Sequence, residues 1–562
     1  MTSTVGTDRP SSVACVTCRS KHLKCDGQMP TCRRCAESGL PCTFVKSRRG
    51  YQGRKRKLTF ANSANDYSPA FSISEADGAR NLDPSFRPAQ SLPLKNADTL
   101  TETASLAQGQ TSDFDYERLI EVYYRNIHMA HPIVLPEKVY LQDQSVLPDH
   151  LKYVMAFMAS HLTPDEFSNL QEKAELVFEP SVPDDGFKVQ ALLLLTLTSY
   201  ARFERDRGNK ALTQAIALAS RLGMDHNDFG HGHSLIYQES WRRTYWELYT
   251  ITGLISLIAG IDFRIKRPDD LLLPGHCEDY KECHISELRD LRAMHDRLAM
   301  EDSFKWSSFA YKIEAMRILS SIFECQGPDG SLKDAQVQAL SASISSYLLS
   351  LPEEKRSPVT DDGEVDEVMS CALMIINLAG VCLHFPRSSL AGKGSFRTVC
   401  GTNTQDKVES QDQRYHRAAA IKYANSVSML VSSRNSLRTL TPCFSCSIAF
   451  AAAVHLSAIL PQDGTEAQHK EHIQLELSAL NVVASIWPIG GVVKAQLAQY
   501  SREVLSRRPS QALGVDSNFL EPISFANDPW LEELTSQYTD ASSEGFLFNL
   551  IGPSHGQLNA TP

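Results

Sequence analysis

Six cysteines near the start of the chain, Cys15, Cys18, Cys25, Cys32, Cys35 and Cys42, follow the spacing C-x2-C-x6-C-x6-C-x2-C-x6-C. A thiolate is a strong zinc ligand, and each C-x2-C pair sets two of them on one side of a single turn, as a tetrahedral ion requires. The pattern is also an internal repeat. Shifting the chain by seventeen residues lays Cys15 on Cys32, Cys18 on Cys35, Leu23 on Leu40 and Cys25 on Cys42. Two similar turns related by a pseudo-dyad, joined through Asp26 to Pro30, are expected from it.

Two separate four-cysteine sites would need more thiolates than the six present. The alternatives are one zinc ion with two idle cysteines, or two zinc ions sharing two bridging sulfurs. The repeat favours sharing, because each half then contributes equally. Two dications against six thiolates leave a net negative cluster, which neighbouring lysines and arginines stabilise. In so short a segment the metals would supply most of the folding energy. A disulfide knot would need an oxidising compartment, and the opening residues MTSTVGTDRP lack the pattern of a secretion signal. A reducing compartment is expected, with the chain's fourteen cysteines serving as metal ligands and core residues.

The charge of the chain is unevenly placed. Residues 1–60 hold thirteen Lys or Arg against three acids, a balance of +10 in a chain of net charge -10, so the remainder sums to -20. A basic head on an acidic body points to a polyanion-binding module. Arg19, Lys21, His22 and Lys24 lie between the cysteines of the first half of the repeat, whereas AESGLP, residues 36–41, puts no base in the second. The first half is therefore the expected phosphate-facing helix. Arg33, Arg34, Arg48 and Arg49 add cations for phosphates and make binding steeply salt-dependent. The run KSRRGYQGRKRK, residues 46–57, reads as a DNA-tracking linker, and its end, Arg54, Lys55, Arg56 and Lys57, as a nuclear import signal.

The stretch CVTCRSKHLKCDGQMPTCRRC, followed by GLPC, closely resembles the DNA-binding domain of the fungal binuclear zinc cluster transcription factors. The resemblance implies two Zn2+ ions bridged by Cys15 and Cys32, with Cys18 and Cys25 completing one site and Cys35 and Cys42 the other. It also implies double-stranded DNA as partner, CGG-type half-sites and a nuclear protein. Members of that family usually place a base-reading lysine where His22 stands. A neutral histidine offers one ring N–H to a guanine edge. Either His22 reads a base with altered preference, or Lys21 and backbone groups read while His22 packs against the sugar-phosphate edge.

Residues 58–112 are rich in Ser, Asn, Asp, Ala and Pro, and Pro69, Pro84, Pro88 and Pro93 break any helix. A disordered tether is expected there. No sustained heptad occurs, so a homodimer, if formed, lacks an evident coiled coil. Order resumes at DYERLIEVYYRNIHMAHPIVLP, where Leu119, Ile120, Tyr123, Tyr124 and Ile127 fall at helical spacing. Apolar helical stretches then run to about residue 510. Residues 189–208 and 211–224 read as a helix pair, the second ended by Gly223, and alternating strand patterns are scarce. The fold class expected is mainly α: a small two-zinc head at 14–45 after a disordered 1–13, and a large all-helical regulatory domain at 113–510.

ALASRLGM, ESWRRTYWELY with Arg242, Arg243, Trp246 and Tyr249, and GIDFRIKRPDDLLLP resemble the fungal-specific transcription factor domain that accompanies such zinc clusters. Thr250, Ile251 and Thr252 replace an acidic residue usual there. Trp241, Trp246 and Tyr249 are expected core anchors, since their spacing suits one buried helical face. The longest apolar candidate, FSCSIAFAAAVHLSAIL at 444–460, reads as a buried helix, so no membrane partner is expected.

His226, His231 and His233, then His276, Cys277, Cys283 and His284, then Cys443 and Cys446, cluster in sequence, but none makes a four-ligand framework. No phosphate loop, nucleophile elbow or metalloprotease helix occurs, so an enzyme is not expected. The tail, 511–562, interleaves seven acids from Asp516 to Glu544 with Phe519, Phe525, Trp530, Phe546 and Phe548. That composition suits an activation segment contacting the transcription machinery or coactivators, or aromatics that dock back on the body. The function expected is a sequence-specific RNA polymerase II transcription factor, an activator, regulating a metabolic or secondary-metabolite gene cluster. A helical regulatory scaffold with an accessory zinc module is the alternative. No small-molecule effector is identified.

Overall fold

The computed structural model describes residues 17–18, 24–26, 31–40, 42, 113–165, 167, 169–259, 264–297, 304–327, 331–360, 362–391, 409–434, 437–459 and 464–506. They fall in two compact units, one within 1–102 and one within 103–562. The tether expected at 58–112 and the acidic-aromatic tail lie outside the described residues.

The first unit carries helix α1 (Arg33–Glu37). Cys32 is its N-cap, and the sulfur takes the place of the usual Ser or Asp oxygen, accepting the Cys35 N–H at 3.5 Å. The carboxylate of Asp26 accepts the Arg33 N–H at 3.2 and 3.3 Å. Cap and turn thus tie the start of the helix to the linker between the two halves of the repeat.

Among the described residues the second unit is built of helices: α2 (Asp113–Asn126), α3 (Glu137–Gln142), α4 (Asp149–Ser160), α5 (Leu170–Glu175), α6 (Gly186–Ala201), α7 (Arg205–Leu222), α8 (Leu235–Ala259), α9 (Cys277–Lys281), α10 (Leu291–Asp296), α11 (Ser308–Glu324), α12 (Asp334–Leu349), α13 (Glu367–His384), α14 (Gln411–Ser432), α15 (Ser445–Ala458), α16 (Glu466–Ala484) and α17 (Pro488–Ser506). Among the described residues β-structure is confined to isolated bridges. The mainly α class expected from the sequence is the class observed. Helices α6 and α7 form an antiparallel-type neighbour pair, α11 packs on α13, and α13 to α17 pack in succession, all around one contiguous apolar core. Leu119, Ile120, Tyr123, Tyr124 and Ile127 of the α2 region are buried in it, as their spacing implies.

The α6–α7 pair breaks earlier than the sequence suggests. Helix α6 ends at Ala201, Phe203 takes a left-handed conformation (φ 64°), and α7 starts at Arg205. Gly208, the last residue of the stretch 189–208 read as the first helix, lies inside α7, where a Cβ would stand 2.6 Å from the Tyr200 ring. It is there to let that ring approach, not to end the helix. Gly223 does end α7, at φ 73°, with the Met224 N–H reaching back to the Ala219 carbonyl at 3.0 Å.

The 444–460 stretch forms α15, buried along its whole length. It is not the longest apolar helix. Helix α13, from Glu367, is long and apolar enough to cross a membrane, yet 94% of its apolar window is buried within the bundle. Its uncharged run reads through Ser, Asn and Gly, which hide its length from a search for strictly apolar residues. Burial on all sides by neighbouring helices accounts for that composition.

Candidate metal centre and nucleic-acid interface

Among the described residues, cysteines of the head converge. Cys18, Cys32 and Cys35 place their sulfurs within 4.8 Å of one another, and Cys32 also belongs to a second such group with Cys25 and Asp26. The Cys18–Cys32 and Cys18–Cys35 sulfur separations are 3.7 and 3.9 Å. A disulfide would bring two sulfurs to about 2.05 Å. Tetrahedral zinc with bonds of about 2.3 Å sets its sulfurs about 3.8 Å apart. The donor set therefore fits zinc in both chemistry and spacing. Cys42 accepts the backbone N–H of Cys32 at 3.2 Å, a contact that stabilises a thiolate over a thiol. All three sulfurs of the first group are shielded from solvent, so their charge has to be met by metal and N–H donors.

Cys32 stands in both groups, while the first also joins Cys18 to Cys35, two cysteines that the resemblance assigns to different ions. Cys15, Arg19, Lys21, His22, Arg48, Arg49, Arg54, Lys55, Arg56 and Lys57 lie outside the described residues. Lys24, Arg33 and Arg34 are exposed. Arg33 makes an i,i+4 pair with Glu37 at 3.0 Å, and with side chains 79% and 67% exposed that pair is weak enough to yield to a phosphate.

Residues 13–51 match the fungal Zn(2)-Cys(6) binuclear cluster domain, and residues 120–353 match the fungal specific transcription factor domain. The chain is a Zn(2)-Cys(6) fungal transcription factor. Its cluster domain binds two zinc ions, and both matching families are transcription factor families rather than enzyme families. The C6 finger domain transcription factor iacK of Pestalotiopsis fici is 27% identical over 89% of this chain and 81% of its own length. The tropolone cluster transcription factor tropK of Talaromyces stipitatus is 21% identical, over 78% of this chain and 90% of its own. The citrinin biosynthesis transcriptional activator ctnR of Monascus purpureus is 24% identical, over 43% of this chain and 52% of its own.

In the helical domain of this transcription factor, the further sequence clusters do not assemble ligand sets. Among the described residues the only groups of three or more metal-type ligands are those of the head. His226 pairs with Asp225 at 3.0 Å, His233 packs edge-on to Trp241, and Cys277 lies 3.5 Å from the Arg243 guanidinium. Trp241, Trp246 and Tyr249 are core residues, and the Trp246 indole donates to the Leu272 carbonyl at 2.9 Å. The Thr250 hydroxyl turns back to the Trp246 carbonyl at 3.0 Å, which lets Thr occupy the place of a charged residue without leaving a buried polar group unmade.

Sequence reading missed a buried polar centre made by His131, Glu247, Lys312 and Thr441. The His131 ring contacts Glu247 at 2.7 Å through Nδ1 and Thr441 at 2.9 Å through Nε2, and Lys312 donates to Glu247. Nothing in the local pattern could signal it, because its members come from widely separated elements. Buried Arg243, by contrast, stands in the quoted ESWRRTYWELY stretch. It donates to Glu239 at 2.9 Å and to the Gly275 carbonyl at 2.7 Å, pinning the chain after α8 to the helix.

Proposed function

We propose that this protein is a nuclear activator of RNA polymerase II genes that reads CGG-type half-sites through its zinc head and regulates a secondary-metabolite gene cluster. The observation that carries the DNA-reading part is the sulfur convergence on Cys32 within a segment of net charge +10. In this reading Cys15 and Cys32 bridge the ions, Cys18 and Cys25 complete one site, and Cys35 and Cys42 the other. Arg19, Lys21, His22 and Lys24 face the bases and adjacent phosphates, while Arg33, Arg34, Arg48 and Arg49 meet the backbone. The names of the relatives, a tropolone cluster transcription factor and a citrinin biosynthesis transcriptional activator, support the gene-cluster and activator parts. Arg54 to Lys57 serve as the import signal, and the tail at 511–562 contacts coactivators.

The test is a salt titration of the full chain against CGG-containing and scrambled duplexes, with and without a zinc chelator. Selective binding with a steep salt slope, abolished by chelation, is expected, since phosphate contacts release counterions and the unmetallated head does not fold. Equal affinity for both duplexes would favour the scaffold alternative. Cys32→Ala should lower zinc content more than Cys42→Ala, because it removes a sulfur shared by two ions.

A further inference from the structure

The residue after Cys25 and the residue after Cys32 are joined. The two carboxylate oxygens of Asp26 accept the Arg33 N–H at 3.3 and 3.2 Å, and the contact closes the loop that runs between these cysteines. A carboxylate oxygen of Asp26 also lies within 4.8 Å of the Cys25 and Cys32 sulfurs. The Arg33 N–H is one of the unpaired donors at the start of α1, so the Asp26 charge is met there. As a zinc ligand the same carboxylate would add to a cluster that is already net negative. The chemistry therefore makes it a support for the ligands rather than a ligand.

The support serves one half of the repeat. The seventeen-residue shift lays Thr43 on Asp26, so the second half has no carboxylate at that place. There the Cys42 sulfur itself accepts the Cys32 N–H at 3.2 Å. Cys25 and Cys42 are half-buried, whereas Cys18, Cys32 and Cys35 are buried. Of these five thiolates, Cys25 and Cys42 are the ones that a chelator or an alkylating reagent reaches first.

We propose that Asp26 is a positioning residue for the zinc ion held by Cys18 and Cys25: its bond to Arg33 keeps Cys25 beside Cys32 and slows the loss of that ion, whereas the ion at Cys35 and Cys42 is held without it. The inference rests on the proposed ligand sets, in which Cys25 and Cys32 share an ion. Zinc leaves a four-sulfur site one bond at a time. A thiolate whose backbone is fixed stays at high effective concentration and closes again before a competitor takes its place. A thiolate on an opened loop does not. The bond acts through geometry, and an amide oxygen accepts an N–H as a carboxylate does, so Asp26→Asn keeps it and Asp26→Ala removes it.

The test loads the full chain with zinc and follows its release to the chromogenic chelator 4-(2-pyridylazo)resorcinol, with alkylation of single cysteines read by peptide mass spectrometry. From Asp26→Ala one of the two ions should leave about fivefold faster than from the unaltered chain, as loss of a capping contact implies, and the other at its unaltered rate. Alkylation should quicken to the same degree at Cys25 and stay unchanged at Cys42. Asp26→Asn should match the unaltered chain in both readouts. With Co2+ in place of zinc, the visible absorption of the sulfur-bound ions should be the same in all three chains. An Asp26→Ala chain that retains a single ion after desalting supports the proposal, and one that retains none counts against it. Unchanged release, equal acceleration of both ions, or an Asp26→Asn chain as labile as Asp26→Ala would overturn it. A Co2+ spectrum altered by the substitution would do the same, by making Asp26 a ligand. Fewer than two ions in the unaltered chain would overturn the ligand sets themselves.

Discussion

Lys312 Nζ lies 2.6 and 2.8 Å from the two carboxylate oxygens of Glu247, where the side chains are 2% and 0% exposed. His131 adds a contact to the same carboxylate at 2.7 Å, and Thr441 closes the other side of the His131 ring. The loop after α2, helices α8 and α11, and the segment before α15 meet here, so one polar centre ties four distant parts of the chain. Burial pushes the Glu247 carboxyl up, but the Lys312 ammonium and the His131 ring outweigh it and hold the group at about 2. Burial lowers Lys312, and Glu247 more than restores it, so the amine stays above its ordinary range.

Removing one partner leaves the other charge buried without its main counter-charge. Lys312→Met should therefore cost about 3–5 kcal/mol in urea unfolding of the helical domain. Adding Glu247→Leu should recover most of that loss, since an apolar pair of similar volume is tolerated where a lone charge is not. A double variant as unstable as the single would place the stability in the His131–Thr441 contacts instead.

The same centre sets an acid limit. Glu247 is lowered, so its contribution is present above the ordinary carboxyl value of 4.5 and is lost as pH falls toward about 2. Lys312 is raised, so its contribution is complete below 10.5 and is lost only at higher pH. Between pH 5 and 2.5 the unaltered chain should lose stability more steeply than Lys312→Met, whose Glu247 has lost its principal counter-charge. Urea midpoints across that window measure the difference.

Glu476 behaves in the opposite sense. Burial pushes its carboxyl well above 4.5, although the Ser428 hydroxyl, donating at 2.6 Å, opposes the shift. His455, on the neighbouring helix, is held neutral by burial and by His472 and His469 around it, and supplies no counter-charge. A raised carboxyl contributes stability below 4.5 that fades as pH rises through the folded value. Glu476→Gln keeps the shape without the ionisation, so at pH 8 it should unfold at or above the midpoint of the unaltered chain. A lower midpoint would mean that an ionised Glu476 is bound in place.

How far the sequence could carry the reader differs between these places. The head was legible because metal geometry fixes ligand spacing along the chain, so Cys32 and its partners announce themselves over a few tens of residues. The helical domain was legible as a class, because Leu119, Ile120, Tyr123 and Tyr124 repeat at the helical period whatever they pack against. The Glu247 centre was not. His131, Lys312 and Thr441 are brought to it from 116, 65 and 194 positions away along the chain, and no local pattern records that meeting. The α6–α7 break was misplaced for a related reason: the stretch 189–208 carries no local mark of the turn at Phe203, and Gly208 serves the approach of the Tyr200 ring from within α7.

Gly208 and Gly491 give a paired test of that reading. A Cβ at 208 would stand 2.6 Å from the Tyr200 ring, which its bond to Asn209 holds in place, so Gly208→Ala should destabilise by about 1–3 kcal/mol. Gly491, in α17, has open space around its Cβ position. There Ala restores helix propensity with nothing to displace, and Gly491→Ala should stabilise by about 0.5–1 kcal/mol. Thermal or urea unfolding of the two variants reads the opposite signs directly. Equal effects would mean that propensity alone governs both positions.

His22 carries the last expectation. Below its ordinary titration range near 6.5 a histidine gains a second donor and a positive charge, so DNA affinity of the unaltered chain should rise as pH falls from 8 to 6. A lysine is charged throughout that interval and can reach a guanine edge, a contact worth about 1–3 kcal/mol. His22→Lys should therefore bind CGG duplexes about fivefold to a hundredfold more tightly at pH 8, with a flatter pH profile at fixed salt. Fluorescence anisotropy with CGG and single-base variants separates the two roles open to the residue. A gain confined to CGG puts the side chain at the base edge, whereas a uniform gain across sequences puts it at the phosphates. Unchanged affinity with an unchanged pH profile would remove His22 from the DNA surface altogether.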